Sequence, residues 1–165
     1  QIEKLFCNFY LMTNLKYKFS EIICTVLYIG KLPIAPGTFG SLAALMCWFV
    51  IKPAMSDPLF LLITGGLFFL GIACSEIIVR ADNLKDPQFI VIDEWVGMWI
   101  GLYLVEHEFL WGLAAFFCFR IFDIFKPGPI GEMDKMEGGI GVMMDDVVAG
   151  IITCLLMQSF SNFSL

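Results

Sequence analysis

From Pro58 to Ser75 the chain runs without a single charged side chain, close to the roughly 20 apolar residues that a helix needs to cross a bilayer. Four other segments approach that condition. Leu32–Ile51 is uncharged, but Pro33, Pro36 and Gly37 interrupt its start, which predicts a helix from near Thr38. Phe89–Val105 is broken only by Asp93 and Glu94, and Phe109–Phe125 only by Arg120 and Asp123. Val147–Leu165 is uncharged and follows Asp145-Asp146. Upstream, Tyr17–Ile29 reads as an amphipathic, interfacial helix. In hydrocarbon every backbone polar group must be satisfied inside the protein, which favours helices for such segments. The expected fold class is therefore all-α: a polytopic membrane helical bundle of about four or five hydrophobic helices plus an N-terminal amphipathic helix. It is expected to form one domain over residues 1–165, with 1–30 as the amphipathic segment and 31–165 as the core. A soluble domain with unusually buried helices is the alternative, because several segments are shorter than a bilayer asks for.

Composition supports the membrane reading. Hydrophobic residues make up 59% and charged residues 16%, and the mean hydropathy is +0.83; soluble domains average about 45–50% and about 25%. The net charge of −6 argues against a nucleic-acid partner, whose phosphates call for a basic face. The six cysteines are scattered without a CxxC pair, and His107 is the sole histidine, so neither a disulfide framework nor a zinc site is expected. Lys16, Lys18 and Glu21 interrupt any signal-peptide core.

Five alternating crossings would put Lys4, Lys16, Lys18, Lys31, Arg80, Lys85, Lys126 and Lys135 on one side, with Arg120 at its edge. The other side would hold only Lys52, beside Asp57 and the Glu106-His107-Glu108 turn. The basic side is expected to be cytoplasmic. Pro36–Ser41, Asp82–Glu94, Arg120–Lys126 and Gly138–Asp146 then gather on that face.

Carboxylates inside membrane helices are costly and point to function. Asp145-Asp146 also suits a helix start, where the dipole favours acids. Asp93 and Glu94, like Asp123, have apolar residues on both sides. Asp93, Gly97 and Gly101 share one helix face, as do Asp146 with Gly150 and Asp145 with Ala149. Small residues on such stripes let helices approach closely, which directs these acids into helix contacts rather than lipid. Facing acids repel unless a cation lies between them, and all-oxygen ligands suit Mg²⁺ or Mn²⁺. Arg120, Lys126 and Lys85 can then hold an anion, most simply a phosphate, although Arg120 and Asp123 can equally pair as i, i+3 neighbours. Pro36–Ser41 reads as a Gly/hydroxyl turn with amides for an anion, and Gly138–Gly141 as a second loop. Neither is a P-loop. Cys74-x5-Arg80 has the spacing of a cysteine phosphatase but none of its glycine-rich, electropositive surroundings.

Several blocks together are similar to one family. They are Pro36-Gly37-Thr38-x-Gly40-Ser41-Leu42, Asp86-Pro87, Ile90-Val91-Ile92-Asp93-Glu94-x-x-Gly97-Met98-Trp99, Phe119-Arg120-x-x-Asp123-x-x-Lys126-Pro127-x-Pro129-Ile130 and Gly138-Gly139-x-Gly141-x-Met143-x-Asp145-Asp146-x-x-Ala149-Gly150. Spanning roughly residues 30–155, they resemble phosphatidylglycerophosphatase A; Gly128 stands where an aromatic is common. The resemblance implies a Mg²⁺-dependent bacterial inner-membrane enzyme, multi-pass with its site facing the cytoplasm. Its reaction would remove the terminal phosphate of phosphatidylglycerophosphate to give phosphatidylglycerol. On this reading Asp93, Glu94, Asp145 and Asp146 hold Mg²⁺, and Asp123 contributes or acts as base. Arg120 and Lys126 grip the phosphate, and Thr38, Ser41 and the Gly37–Gly40 amides orient it. Asp86 is a further substrate-side candidate. Two other classes stay open on residues alone: a transporter that uses the buried acids as an ion or proton relay, and another phospholipid-headgroup enzyme. A CDP-alcohol phosphotransferase is disfavoured, since its D-G-x2-A-R-x8-G-x3-D-x3-D run is missing.

Overall fold

The structure, a computed structural model, describes residues 14–85 and 87–163. Helix α1 covers 14–24, followed by a 3-10 turn at Ile29–Lys31. Helix α2 is Pro36–Ile51, with a 3-10 turn at Lys52–Ala54, and α3 is Asp57–Asp82. Then come α4 (Ile92–Gly101), α5 (Phe109–Phe125), the short α6 (Pro129–Met133) and α7 (Gly138–Phe163). No strand occurs among the described residues. The all-α expectation holds, with α2, α3, α4, α5 and α7 as the hydrophobic helices.

Three of these, over Pro36–Ala54, Asp57–Asp82 and Gly138–Ser161, are long and apolar enough to cross a membrane. Phe89–Val105, expected as one near-spanning segment, forms only the 10-residue α4, about 15 Å long and half the thickness of a bilayer core. Both of its ends have local causes. The Val91 N–H donates to the Cys24 carbonyl at 2.8 Å, which ties the approach to α1. At the other end Leu104 sits at φ 62, a left-handed conformation that stops the helix.

Three local boundaries differ from expectation. The amphipathic helix ends at residue 24 rather than Ile29, because Val26, Leu27 and Tyr28 all have positive φ. Thr25 closes that turn: its hydroxyl donates to the Glu21 carbonyl at 2.7 Å and accepts from the Tyr28 N–H at 3.0 Å. Helix α2 starts at Pro36 instead of Thr38, since a proline needs no N–H partner in the first turn. Gly138–Gly141 is the opening turn of α7 instead of a loop. Its Gly139 N–H donates to Glu76 Oε2 of α3 at 2.6 Å, a cross-helix cap on an otherwise orphaned donor.

Chain direction alternates through the bundle. Helices α2, α4 and α7 begin at the end where α3 and α5 finish. At the opposite end His107 Nε2 lies 3.1 Å from the Phe49 carbonyl, and Gln158 Nε2 donates to the Leu104 carbonyl at 2.7 Å. His107 is exposed and packs its ring on Trp48 and Phe49.

Helix α4 is the innermost element. Val96, Met98, Trp99 and Leu102 are buried, and Trp99 Nε1 donates to the Ala44 carbonyl of α2 at 3.0 Å. Its glycine stripe lies against α7. A Cβ on Gly97 would come 2.6 Å from the Asp146 carbonyl oxygen, and one on Gly150 would run into the Gly97 carbonyl. Side chains at these positions would force the two backbones apart. Helices in lipid are held together by close packing and hydrogen bonds rather than by water exclusion, and the Gly97–Gly150 approach is a close-packed contact of that kind. It also decides where the acids at each helix start end up.

Candidate active site

Asp93 and Glu94 occupy the first turn of α4, and Asp146 lies on α7 one turn before Gly150. The Gly97–Gly150 approach brings their carboxylates together: one oxygen from each of Asp93, Glu94 and Asp146 lies within 4.8 Å of the others. Asp93 and Asp146 are buried, at 7% and 3% exposure, and Glu94 is partly buried. Asp93 Oδ1 accepts the Glu94 backbone N–H at 3.0 Å. Glu94 Oε2 and Asp146 Oδ1 are buried with no hydrogen-bond partner. None of the three carboxylates forms an ion pair among the described residues.

Three mutually close acids, two of them buried and two with orphaned oxygens, are costly in their ionised form unless a cation joins them. The donor set is all oxygen, which matches a hard divalent ion of the Mg²⁺ or Mn²⁺ type. The residues therefore fit such an ion.

Two cations flank the trio. Arg120 of α5 pairs with Asp123 one turn on. Its Nη1 also donates to Ser41 Oγ at 3.4 Å, and its Nη2 to Thr38 Oγ1 at 3.3 Å. Gly37 leaves room for this group, since a Cβ there would strike Glu94 Oε1 and sit 3.3 Å from Arg120 Nη1. Lys126, just past α5 at φ 44, bridges Asp134 and Asp145, the latter at 2.7 Å. Burial pulls its ammonium down, but Asp134 and Asp145 outweigh that and hold it above the ordinary lysine range, so it stays charged. A cleft of about 530 Å³ opens over these groups, lined by all five acids at 93, 94, 123, 145 and 146 and by Arg120, Lys126 and Lys85.

The structure thus brings together most, but not all, of the residues singled out in the sequence. Asp145 lines the cleft but is engaged by Lys126, so the close trio has three acids rather than the four assigned to the ion. Asp123 lines the cleft as the partner of Arg120. The Thr38 and Ser41 hydroxyls face the guanidinium, and Ser41 also donates to the Gly37 carbonyl. The expected anion-binding turn is helical: the Thr38 and Phe39 amides donate to the Ala35 carbonyl. Gly40 packs on Val91 and does not line the cleft. Asp86 lies outside the described residues. Asp134 and Glu76 were missed, for a turn acid and a helix-surface acid carry no sequence mark of the Lys126 bridge or the Gly139 cap. Cys74 is buried within α3 and Arg80 pairs with Glu76, which leaves no phosphate loop there.

A helical fold with three helices apolar enough to cross a membrane, and an acid-lined, cation-flanked cleft at one end of the bundle, suits an enzyme that works on phosphate esters. Residues 22–161 match the family described as phosphatidylglycerophosphatase A, and the chain belongs to that family. It is 38% identical to phosphatidylglycerophosphatase A of Escherichia coli K12 over 75% of this chain and 73% of that protein. The same identity holds to phosphatidylglycerophosphatase A of Haemophilus influenzae, over 82% of this chain and 85% of the relative. A Bacteroides thetaiotaomicron protein provisionally described as a phosphatidylinositol-3-phosphatase is also 38% identical, over 78% and 84%. No solved structure matches. The chain is accordingly a phosphatase.

Proposed function

We propose that this chain hydrolyses the terminal phosphomonoester of phosphatidylglycerophosphate to give phosphatidylglycerol, in a Mg²⁺-dependent reaction at the cytoplasmic face of a bacterial inner membrane. The observation that carries the reading is the close trio of carboxylates, without an ion-pair partner among the described residues, beside Arg120 in one cleft. The names of the Escherichia coli and Haemophilus influenzae relatives supply the substrate. Asp93, Glu94 and Asp146 are the residues that would hold the ion, with Asp145 at the margin. Bound there, Mg²⁺ would shield the phosphate charge and lower the pKa of a nearby water.

The protein's own groups do the rest. Arg120 offers a planar fork of donors to phosphate oxygens, and Asp123, Thr38 and Ser41 fix the plane of that fork. Lys126 adds positive charge, and Asp134 and Asp145 hold its ammonium at the cleft wall. Asp123 is the group assigned to accept a proton from the attacking water. The cytoplasmic orientation rests on Lys31, Arg80, Lys85, Lys126 and Lys135, which all lie toward the cleft end of the bundle, whereas Lys52 lies at the other.

The test is phosphate release by the purified protein from phosphatidylglycerophosphate in mixed micelles. Release is expected with Mg²⁺, is expected to stop with EDTA, and is expected to return when Mg²⁺ is added in excess. Release that ignores chelation would contradict the metal assignment. Release from phosphatidylinositol 3-phosphate alone would move the substrate to that of the Bacteroides relative. Proton or ion flux in vesicles without any phosphate release would support the relay reading instead.

A further inference from the structure

The proposed substrate carries two phosphates: the monoester to be removed and the diester that joins the headgroup to diacylglycerol. The cleft is lined by three cations, and two of them are already neutralised. Arg120 is paired with Asp123, and Lys126 with Asp134 and Asp145. Lys85 also lines the cleft, yet among the described residues its Nζ donates to the main-chain carbonyl of Asp134, at 3.3 Å, and to no side chain. Among the described residues it meets no carboxylate.

A second cleft, of about 660 Å³, adjoins the first, and Pro36 and Gln88 belong to the walls of both. Its lining is mixed, with Leu32, Pro33, Leu84 and Phe89 beside Tyr17 and the Lys31–Glu21 ion pair. Lys85 lines the first cleft and not the second, so its ammonium shares the space of the acid trio and Arg120.

We propose that Lys85 reads the diester phosphate of the substrate, making it the residue that selects a lipid with two phosphates over one with a lone phosphomonoester. This rests on the phosphatase reading above. An ammonium that meets no carboxylate among the described residues gains a full charge-assisted contact when an anion arrives. A diester phosphate offers that anion at every pH the enzyme meets. Phosphatidic acid, with a monoester placed directly on diacylglycerol, cannot fill the acid trio and the Lys85 position together.

The experiment compares kcat/KM for phosphatidylglycerophosphate and for phosphatidic acid of the same acyl composition, in Mg²⁺-containing micelles. For Lys85→Gln the ratio of the two is expected to fall by about tenfold, mainly through KM for the two-phosphate lipid. Lys85→Arg is expected to restore it to within about twofold, since the charge is kept. An unchanged ratio, with both substrates equally affected or neither, would overturn the proposal. A wild-type protein that releases phosphate from neither lipid would defeat the phosphatase reading separately. Micelle binding in EDTA then judges Lys85: loss of preference for the two-phosphate lipid in Lys85→Gln supports it, and retained preference refutes it.

Discussion

Asp146→Asn is expected to slow phosphate release by about 10³-fold, roughly 4 kcal/mol in the barrier, while the metal-free protein unfolds at the same or a higher temperature than wild type. Two effects of opposite sign lie behind this. Asn keeps the shape of Asp, so the tight contact of α7 with Gly97 survives. It removes one of three buried carboxylates whose oxygens crowd within 4.8 Å, which relieves repulsion in the folded state. A residue kept only for stability would give the reverse pattern, with lower stability and activity intact. Asp93→Asn is expected to behave likewise, because Asp93 also lacks a basic partner. Phosphate release and thermal unfolding in the same detergent, with EDTA and with Mg²⁺, check both halves. A rate within tenfold of wild type in either variant would remove that acid from the site.

Arg120→Lys is expected to lose about 10²-fold in kcat with little change in stability. The guanidinium meets Asp123, Thr38 and Ser41 at once, through Nη1 and Nη2. A lysine can answer Asp123 with its charge but cannot hold that plane toward a phosphate. The conservative change is the informative one. Arg120→Ala would leave Asp123, whose side chain is 13% exposed, as an unpaired charge, at a cost of about 3–5 kcal/mol, and an activity loss would then report misfolding. If Arg120→Lys keeps full kcat, the arginine serves as the counter-ion of Asp123 and does not touch the phosphate.

The way the acids meet was readable before any coordinates, because one physical rule governs it. Asp93 with Gly97 and Gly101, and Asp146 with Gly150, mark faces where helices close on each other, and α4 and α7 do meet there. That is a local, periodic signal. The Asp145–Lys126–Asp134 bridge was not legible, since it depends on how the α6 turn folds back over the cleft, and an acid at position 134 looks like any solvated turn residue. Gly138–Gly141 misled for a related reason: glycines read as a loop when their neighbours are unknown. Here they are small because α7 starts against the α3 backbone, where a Cβ on Gly139 would strike the Ile72 carbonyl. The early end of α1 likewise comes from a run of left-handed residues at Val26–Tyr28, which no hydrophobic pattern announces. The length of α4 was overread because apolar residues continue past Gly101 although the helix does not.

The central claim is that Asp93, Glu94 and Asp146 together hold a divalent ion. Mn²⁺ binding to the purified protein, followed by the loss of the free-ion electron paramagnetic resonance signal, tests it without any substrate. The account predicts saturable binding in wild type, competed by Mg²⁺, and its loss in both Asp93→Asn and Asp146→Asn, with binding kept in Lys85→Gln. Equal Mn²⁺ binding by wild type and by the two aspartate variants would contradict it.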